Sequence, residues 1–204
     1  MTPRFEVPKI RQGGDLFGKG SASWHDAILH VYHPSWTVYV RGYRVAADRL
    51  VEHALAERSD RDFLIYPILF LYRQFLELAL KEVIKYALML SDETPAQPGN
   101  HHRLERLWNQ VEELMPKVSD GSLEEHVAVI RNAVQQFESL DPTSQLFRYP
   151  EKNDGRPVQY PVERVNLPTL RAEMENAGTA LEFVSGGLSA LVDVRSDYRS
   201  ETGP

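Results

Sequence analysis

An all-α fold is what the sequence predicts: an up-and-down bundle of about five helices, with a small β-hairpin inserted before the last helix. Three observations carry it. Apolar side chains recur at alternating steps of four and three through most of the chain, which lines one face of a helix. Clusters of Gly, Pro, Ser, Asn and Asp break these stretches at intervals that suit helix–helix connections. The strand-like signal is confined to two short runs around Asp154-Gly155.

Residues 1–33 show no period and contain Gly13, Gly14, Gly18 and Gly20, so they are expected to form an irregular arm draped over the body. The helical domain spans 34–195. Its first helix opens after Pro34 with Ser35 as N-cap and faces inward through Trp36, Val40, Tyr43, Ala47, Leu50 and Ala54. Ser59 and Asp62 resemble a capping box for the second helix, which runs to about Leu90. Its first half, Phe63 to Tyr72, is apolar on every side and belongs at the centre of the bundle or in an oligomer contact. Pro67 is expected to kink it or to lie in its first turn. The second half reads as amphipathic, with Arg73, Glu77, Lys81 and Lys85 stacked at four-residue spacing.

A turn-rich linker, Ser91 to Asn100, leads to a helix capped by Asn100 and stopped near Pro116, with Leu104, Leu107, Trp108, Val111 and Leu114 inward. Ser122 with Glu125 reads as the cap of the next, which buries Leu123, Val127, Ile130, Val134 and Phe137 and ends at Asp141-Pro142. Gln145 to Pro150 and Arg156 to Tyr160 then read as the hairpin, turning at Asn153-Asp154-Gly155. The last helix begins near Asn166-Leu167-Pro168 and repeats Leu170, Met174, Ala177, Leu181, Val184, Leu188 and Leu191. Residues 196–204 are expected to fray.

The formal net charge of -6 argues against strong non-specific attraction to nucleic acid. With no cysteine, disulfides and thiolate chemistry are excluded and a closed structural zinc site is not expected. Met1 to Arg11 hold no apolar stretch of the secretory kind, and the run Phe63 to Tyr72 is about half a bilayer span. A cytoplasmic protein without membrane contact is the expectation.

Several segments together resemble the HEPN superfamily, the higher-eukaryote and prokaryote nucleotide-binding helical bundles. Phe70-Leu-Tyr-Arg-Gln-Phe-Leu-Glu-Leu-Ala-Leu-Lys81 is similar to the family's central helix. Asn100-His-His-Arg-Leu-Glu-Arg-Leu-Trp108 resembles its G-H-D-L-x-x-L-[LW] helix opening at His102, Leu104 and Leu107, and departs from it at the glycine and the aspartate. Phe147-Arg-Tyr-Pro150 resembles the R-Y-P segment of one branch. The likeness covers roughly residues 36–195. It implies a homodimer, RNA, a nucleotide or a partner protein as ligand, no cofactor, and a setting among bacterial toxin–antitoxin, phage-defence or nucleotidyltransferase-partner modules.

Ribonucleases of that family are metal-independent. An arginine steadies the phosphate, while a histidine five to seven positions on moves protons as the 2′-hydroxyl attacks. No arginine here has such a histidine. In Arg131-Asn132-Ala-Val-Gln-Gln136 an amide stands where the imidazole belongs, and Arg49 and His53 are one residue too close. Arg148, Tyr149 and His102 offer a guanidinium, an aromatic face and an imidazole, which suit a phosphate and a base if the fold brings them together. They are the candidate catalytic and ligand-binding residues. The competing reading is that Arg148 pairs with a buried carboxylate such as Glu77 and pins the hairpin. Arg73 and Glu77, also candidates for ligand contact, read better as an internal ion pair.

Two weaker patterns remain. Gly13-Gly-Asp-Leu-Phe-Gly18-Lys19-Gly20 approaches a P-loop, but Gly20 replaces the Mg²⁺-binding hydroxyl and Ser21 comes one position late. His25, His30 and His33 with Asp26 have metal-ligand chemistry but sit in the irregular arm, so no metal site is expected, and His101 is expected to be exposed. The favoured function is a non-catalytic HEPN-like binding module. A ribonuclease with a non-linear Arg148/His102 site and a structural adaptor without ligand are the alternatives.

Overall fold

The computed structural model describes residues 13, 23–29, 35–91, 102–152 and 154–202. The chain divides into two compact units, Met1–His33 and Pro34–Pro204. In the first, the Ser23 backbone N–H donates to Asp26 Oδ2 at 2.7 Å and the rings of Trp24 and His25 lie 3.5 Å apart. The second carries five α-helices: α1 (Trp36–Ala56), α2 (Arg61–Ser91), α3 (Leu104–Val118), α4 (Glu124–Leu140) and α5 (Leu167–Thr202).

Helix α1 starts where its sequence pattern places it. Ser35 holds the N-cap position in extended backbone, yet its side chain caps nothing; its carbonyl accepts the Val38 N–H at 3.2 Å. Val40, Ala47, Val51 and Ala54 are buried. A short 3₁₀ turn, Arg58–Asp60, folds the chain back into α2. The Ser59–Asp62 capping box does not form, because the Ser59 hydroxyl donates to the neighbouring Asp60 carboxylate at 2.9 Å.

Helix α2 packs against α1, α3 and α5 and is the axis of the bundle. Pro67 sits inside it, so the Phe63 carbonyl loses its helical partner, yet the helix continues to Ser91. The apolar run at its start is not wholly covered: Ile68, Leu69 and Tyr72 are buried, while Phe63 is 64% exposed and Tyr66 40%. By composition alone a window within Arg58–Ser91 and another within Leu167–Glu201 are long and apolar enough to cross a membrane; half of the first is buried inside the bundle.

Helix α3 runs through Pro116 and ends two residues later, where the Ser119 N–H donates to the Met115 carbonyl at 3.0 Å. Leu123, not Ser122, precedes α4; the Ser122 N–H is taken by Asp120 Oδ1 at 3.0 Å, and the Gly121 carbonyl accepts the Glu124 N–H at 3.2 Å. Gly121 makes the reversal at a positive φ of 91°, a conformation that favours glycine. At the start of α5, Asn166 Oδ1 accepts the Thr169 N–H at 2.9 Å, a side-chain cap of the usual kind. Met174, Ala177, Leu181, Val184 and Leu188 are buried, but Leu191 is 50% exposed. Beyond Leu188 the helix has left the core and continues to Thr202, past the boundary expected at 195.

The β-hairpin is a correction. Among the described residues no strand forms between α4 and α5, only one antiparallel bridge, Glu151 to Pro157. The reverse turn is real: the Gly155 N–H donates to the Lys152 carbonyl at 2.9 Å, with Gly155 at a φ of +76°. Lys152 N–H to Arg156 carbonyl (2.8 Å) and Val158 N–H to Pro150 carbonyl (3.0 Å) hold its base. Pro150, Pro157 and Pro161 have no N–H to give, so the ladder cannot extend. The segment is an irregular finger. Its anchor is the buried Phe147, whose ring stacks on Tyr160 with centroids 6.1 Å apart.

Candidate functional site

Three of the candidate residues meet at the junction of α2, α3 and the α4 C-terminus. Arg73 is fully buried and Glu77 is 1% exposed. The Arg73 guanidinium spreads its donors over three elements. Nη2 donates to the His102 carbonyl at 2.7 Å, Nε to the Asp141 carbonyl at 3.1 Å, and Nη1 to Glu77 Oε2 at 3.4 Å. The other Glu77 oxygen receives Lys81 Nζ at 2.8 Å and lies 2.9 Å from His102 Nδ1. Asp141 closes the network. Its carboxylate lies 3.9 Å from Arg73 and its Oδ1 accepts the Gln145 N–H at 3.1 Å.

The row Arg73, Glu77, Lys81 therefore does not form the solvated face that its spacing suggests; only Lys85 among the four is partly exposed. On a helix surrounded by others, a charged row turns inward when each member finds a partner there. Burial raises the Glu77 pKa, but the hydrogen bonds from Lys81 and His102 outweigh it and hold the carboxyl below its ordinary value. Burial also pulls Arg73 below its ordinary value, against the attraction of Asp141, Glu77 and Glu138. The His102 side chain is 70% exposed. With Nδ1 against Glu77, its Nε2 is the nitrogen left for solvent or a ligand.

Arg148 and Tyr149 lie elsewhere. Arg148 is exposed and forms no hydrogen bond or ion pair with Glu77 or His102. Its Nη2 donates to the Tyr149 hydroxyl at 3.1 Å and its Cζ lies 5.2 Å from the Tyr149 ring centroid. Arg148 does not pin the finger; Phe147 does. The finger and the buried network are joined indirectly, through Asp141, the Gln145 N–H, and the Gln145 carbonyl that accepts the Arg148 N–H at 3.1 Å.

Behind the finger, α2 and the segment leading into α5 enclose a cavity of about 390 Å³. Tyr66 and Tyr160, with ring centroids 5.7 Å apart, stand in its wall, and Arg61, Asp62, Glu163 and Arg164 ring it. Burial raises the Tyr160 pKa, with the Tyr66 hydroxyl adding to it, so the phenol stays protonated at neutral pH. Sequence reasoning missed this cavity because its walls come from three separate segments. In the sequence Asp141 reads only as a helix stop; no spacing rule links it to Arg73.

The remaining candidates have ordinary surroundings. Arg131 pairs with Glu112 at 3.0 Å and lies 5.6 Å from the Trp108 ring centroid, while Gln136 donates to Asn132 at 3.2 Å. Arg49 pairs with Glu52 at 3.0 Å, and His53 lies 3.1 Å from Asp60. Apart from Gly13, the P-loop-like stretch is outside the described residues, as are His30, His33, His101 and Asn100. No group of three or more metal-ligand side chains occurs among the described residues.

Fold and site together define an all-helical bundle with a buried charge network at one junction and an arginine–tyrosine finger before the last helix. No family model, curated protein or solved structure matches the chain.

Proposed function

We propose that the chain is a cytoplasmic, non-catalytic HEPN-like binding module that contacts RNA or a nucleotide through Arg148 and Tyr149. One observation carries the reading. Arg148 is an exposed guanidinium with no carboxylate partner among the described residues, resting on an aromatic ring that is itself 52% exposed. Arginine held in this way presents its donors to a phosphate, and tyrosine offers a base a stacking face. The buried network, with its charges mutually paired, supports a structural role for Arg73 and Glu77. The resemblance of the central helix and the R-Y-P segment to HEPN domains supports a bacterial toxin–antitoxin or defence setting and pairing as a homodimer. Exposed apolar side chains such as Tyr39 and Phe63 fit that pairing.

Fluorescence anisotropy with single-stranded RNA tests the reading. Binding should weaken about tenfold or more in Arg148→Ala, the scale of a lost charge-assisted contact, with the melting temperature kept. Binding that is unchanged in that variant sinks it. Light scattering should show a dimer at micromolar concentration.

The geometry of His102 favours a second reading, a metal-independent ribonuclease. A buried carboxylate against Nδ1 orients an imidazole and leaves Nε2 to move a proton. Cleavage of RNA in the presence of EDTA, lost in both His102→Ala and Arg148→Ala, would establish it over the binding module.

A further inference from the structure

The cavity behind the finger combines features that a solvated surface does not need. Its floor is apolar, formed in part by Leu69 and Leu140, and its volume of about 390 Å³ falls within the range of small-molecule pockets. Aromatic rings stand in the wall. Asp62, Glu163 and Arg164 line it, and none of the three side chains makes a hydrogen bond or ion pair among the described residues; Arg61 makes one long contact, 3.4 Å to the Ala54 carbonyl. Charges of opposite sign thus ring one opening without pairing with each other, although two of each are at hand. They are free for a ligand that brings both a donor edge and an anion.

Resting on the reading that the finger contacts RNA or a nucleotide, we propose that this cavity takes a single nucleotide unit and selects guanine. The base lies against the tyrosine wall, where stacking is tolerant of sequence. Its phosphate meets Arg61 and Arg164. Selection comes from the acids. Guanine alone among the bases places two N–H groups, N1–H and N2–H, side by side on its Watson–Crick edge, and a carboxylate accepts both. Uracil offers one N–H between two carbonyl oxygens, which a carboxylate repels. Phe147 stands in the same cavity wall and precedes Arg148, so the following nucleotides of an RNA run out over the finger.

Calorimetric titration of the full chain with GMP, AMP, UMP and inorganic phosphate tests this. GMP should bind about tenfold tighter than UMP, the discrimination expected of one bidentate contact, and phosphate alone should not register. Arg164→Ala should weaken GMP about tenfold. Either Asp62→Asn or Glu163→Gln should bring GMP level with AMP. Tyr160→Ala should lose binding and Tyr160→Phe keep it, with circular dichroism showing all variants folded. Equal affinities for GMP and UMP, or no binding of any nucleotide, overturn the proposal. RNA binding that needs Arg148, with no mononucleotide bound, sinks the cavity and leaves the finger reading standing. GMP selectivity with no binding of RNA does the reverse.

Discussion

The buried row on α2 and the finger before α5 treat the same chemistry in opposite ways. Arg73, Glu77 and Lys81 are desolvated, and each has its charge met within the network. Arg148, Arg164, Asp62 and Glu163 stay at the surface and have no opposite partner among the described residues. Burial without partners costs several kcal/mol per ion, so the interior arrangement has to be closed. At the surface water meets the charges, so an open arrangement persists at little cost and remains available to a ligand. Charge alone does not mark a site; saturation separates the two.

The contrast breaks most visibly at Arg73. Arg73→Ala takes the nearby cation from the buried Asp141, one of three partners from Glu77, and the donor from the His102 carbonyl, so unfolding should ease by about 3–5 kcal/mol. For a domain of this size that is a fall of about 6–20 °C in melting temperature, read by circular dichroism. A change within about 2 °C would show that water enters and solvates the network.

The pH dependence sharpens the same point. Glu77 has a folded pKa below its ordinary 4.5. The unfolded chain therefore binds the proton first as pH falls, and the stability that Glu77 contributes is full above about 4.5 and lost as pH drops through the folded value. Urea unfolding at pH 6 and pH 3.5 should show this loss in the parent chain and a smaller one in Glu77→Gln. Equal slopes in the two proteins would remove Glu77 from the account.

Much of this was legible in the sequence and the rest had physical reasons not to be. Helix faces such as Met174, Ala177, Leu181, Val184 and Leu188 were readable because burial imposes the 3.6-residue period on the residues themselves. Helix ends were less so. Ser59, Ser122 and Ser35 look like caps, yet a competing local acceptor, donor or backbone geometry took each one, and only Asn166 caps with its side chain. The hairpin failed on the prolines. For the candidate site, the pairing of Arg73 with Glu77 followed from spacing, whereas Asp141 and the cavity walls depend on contacts between distant segments. That Arg148 and His102 do not pair was beyond any local rule.

Asn166 caps α5 between Val165 and Leu167, two residues that line the cavity. Asn166→Ala removes one satisfied donor pair and should cost about 1 kcal/mol. If the cap also positions Glu163 and Arg164, ligand affinity should fall by more than this stability loss accounts for. A stability loss with affinity unchanged would confine Asn166 to the helix.

The solvent face of α5 should respond with the opposite sign. A Cβ added at Gly186 or Gly187 meets nothing within 4 Å, and both positions are helical and exposed. Each change to alanine should stabilise by about 0.5–1 kcal/mol, because glycine loses more backbone freedom on folding. At Gly178 the same Cβ would lie 2.6 Å from the Arg44 guanidinium, which pairs with Glu182 at 2.6 Å, so the gain there should vanish. Melting curves of the three variants decide it; a gain at Gly178 equal to that at Gly187 would mean Arg44 moves aside freely.

The smallest stability effect belongs to Arg148. Its partners are the exposed Tyr149 hydroxyl and, at 3.5 Å, the part-buried Ser144 carbonyl. Arg148→Ala should therefore change unfolding by no more than about 0.5 kcal/mol, an ordinary figure for a surface substitution. Set against Arg73→Ala, that is a difference of several kcal/mol between two arginines of one chain, and it follows from partners rather than residue type. A destabilisation of Arg148→Ala comparable to that of Arg73→Ala would place the finger in the scaffold and take from it the freedom to bind.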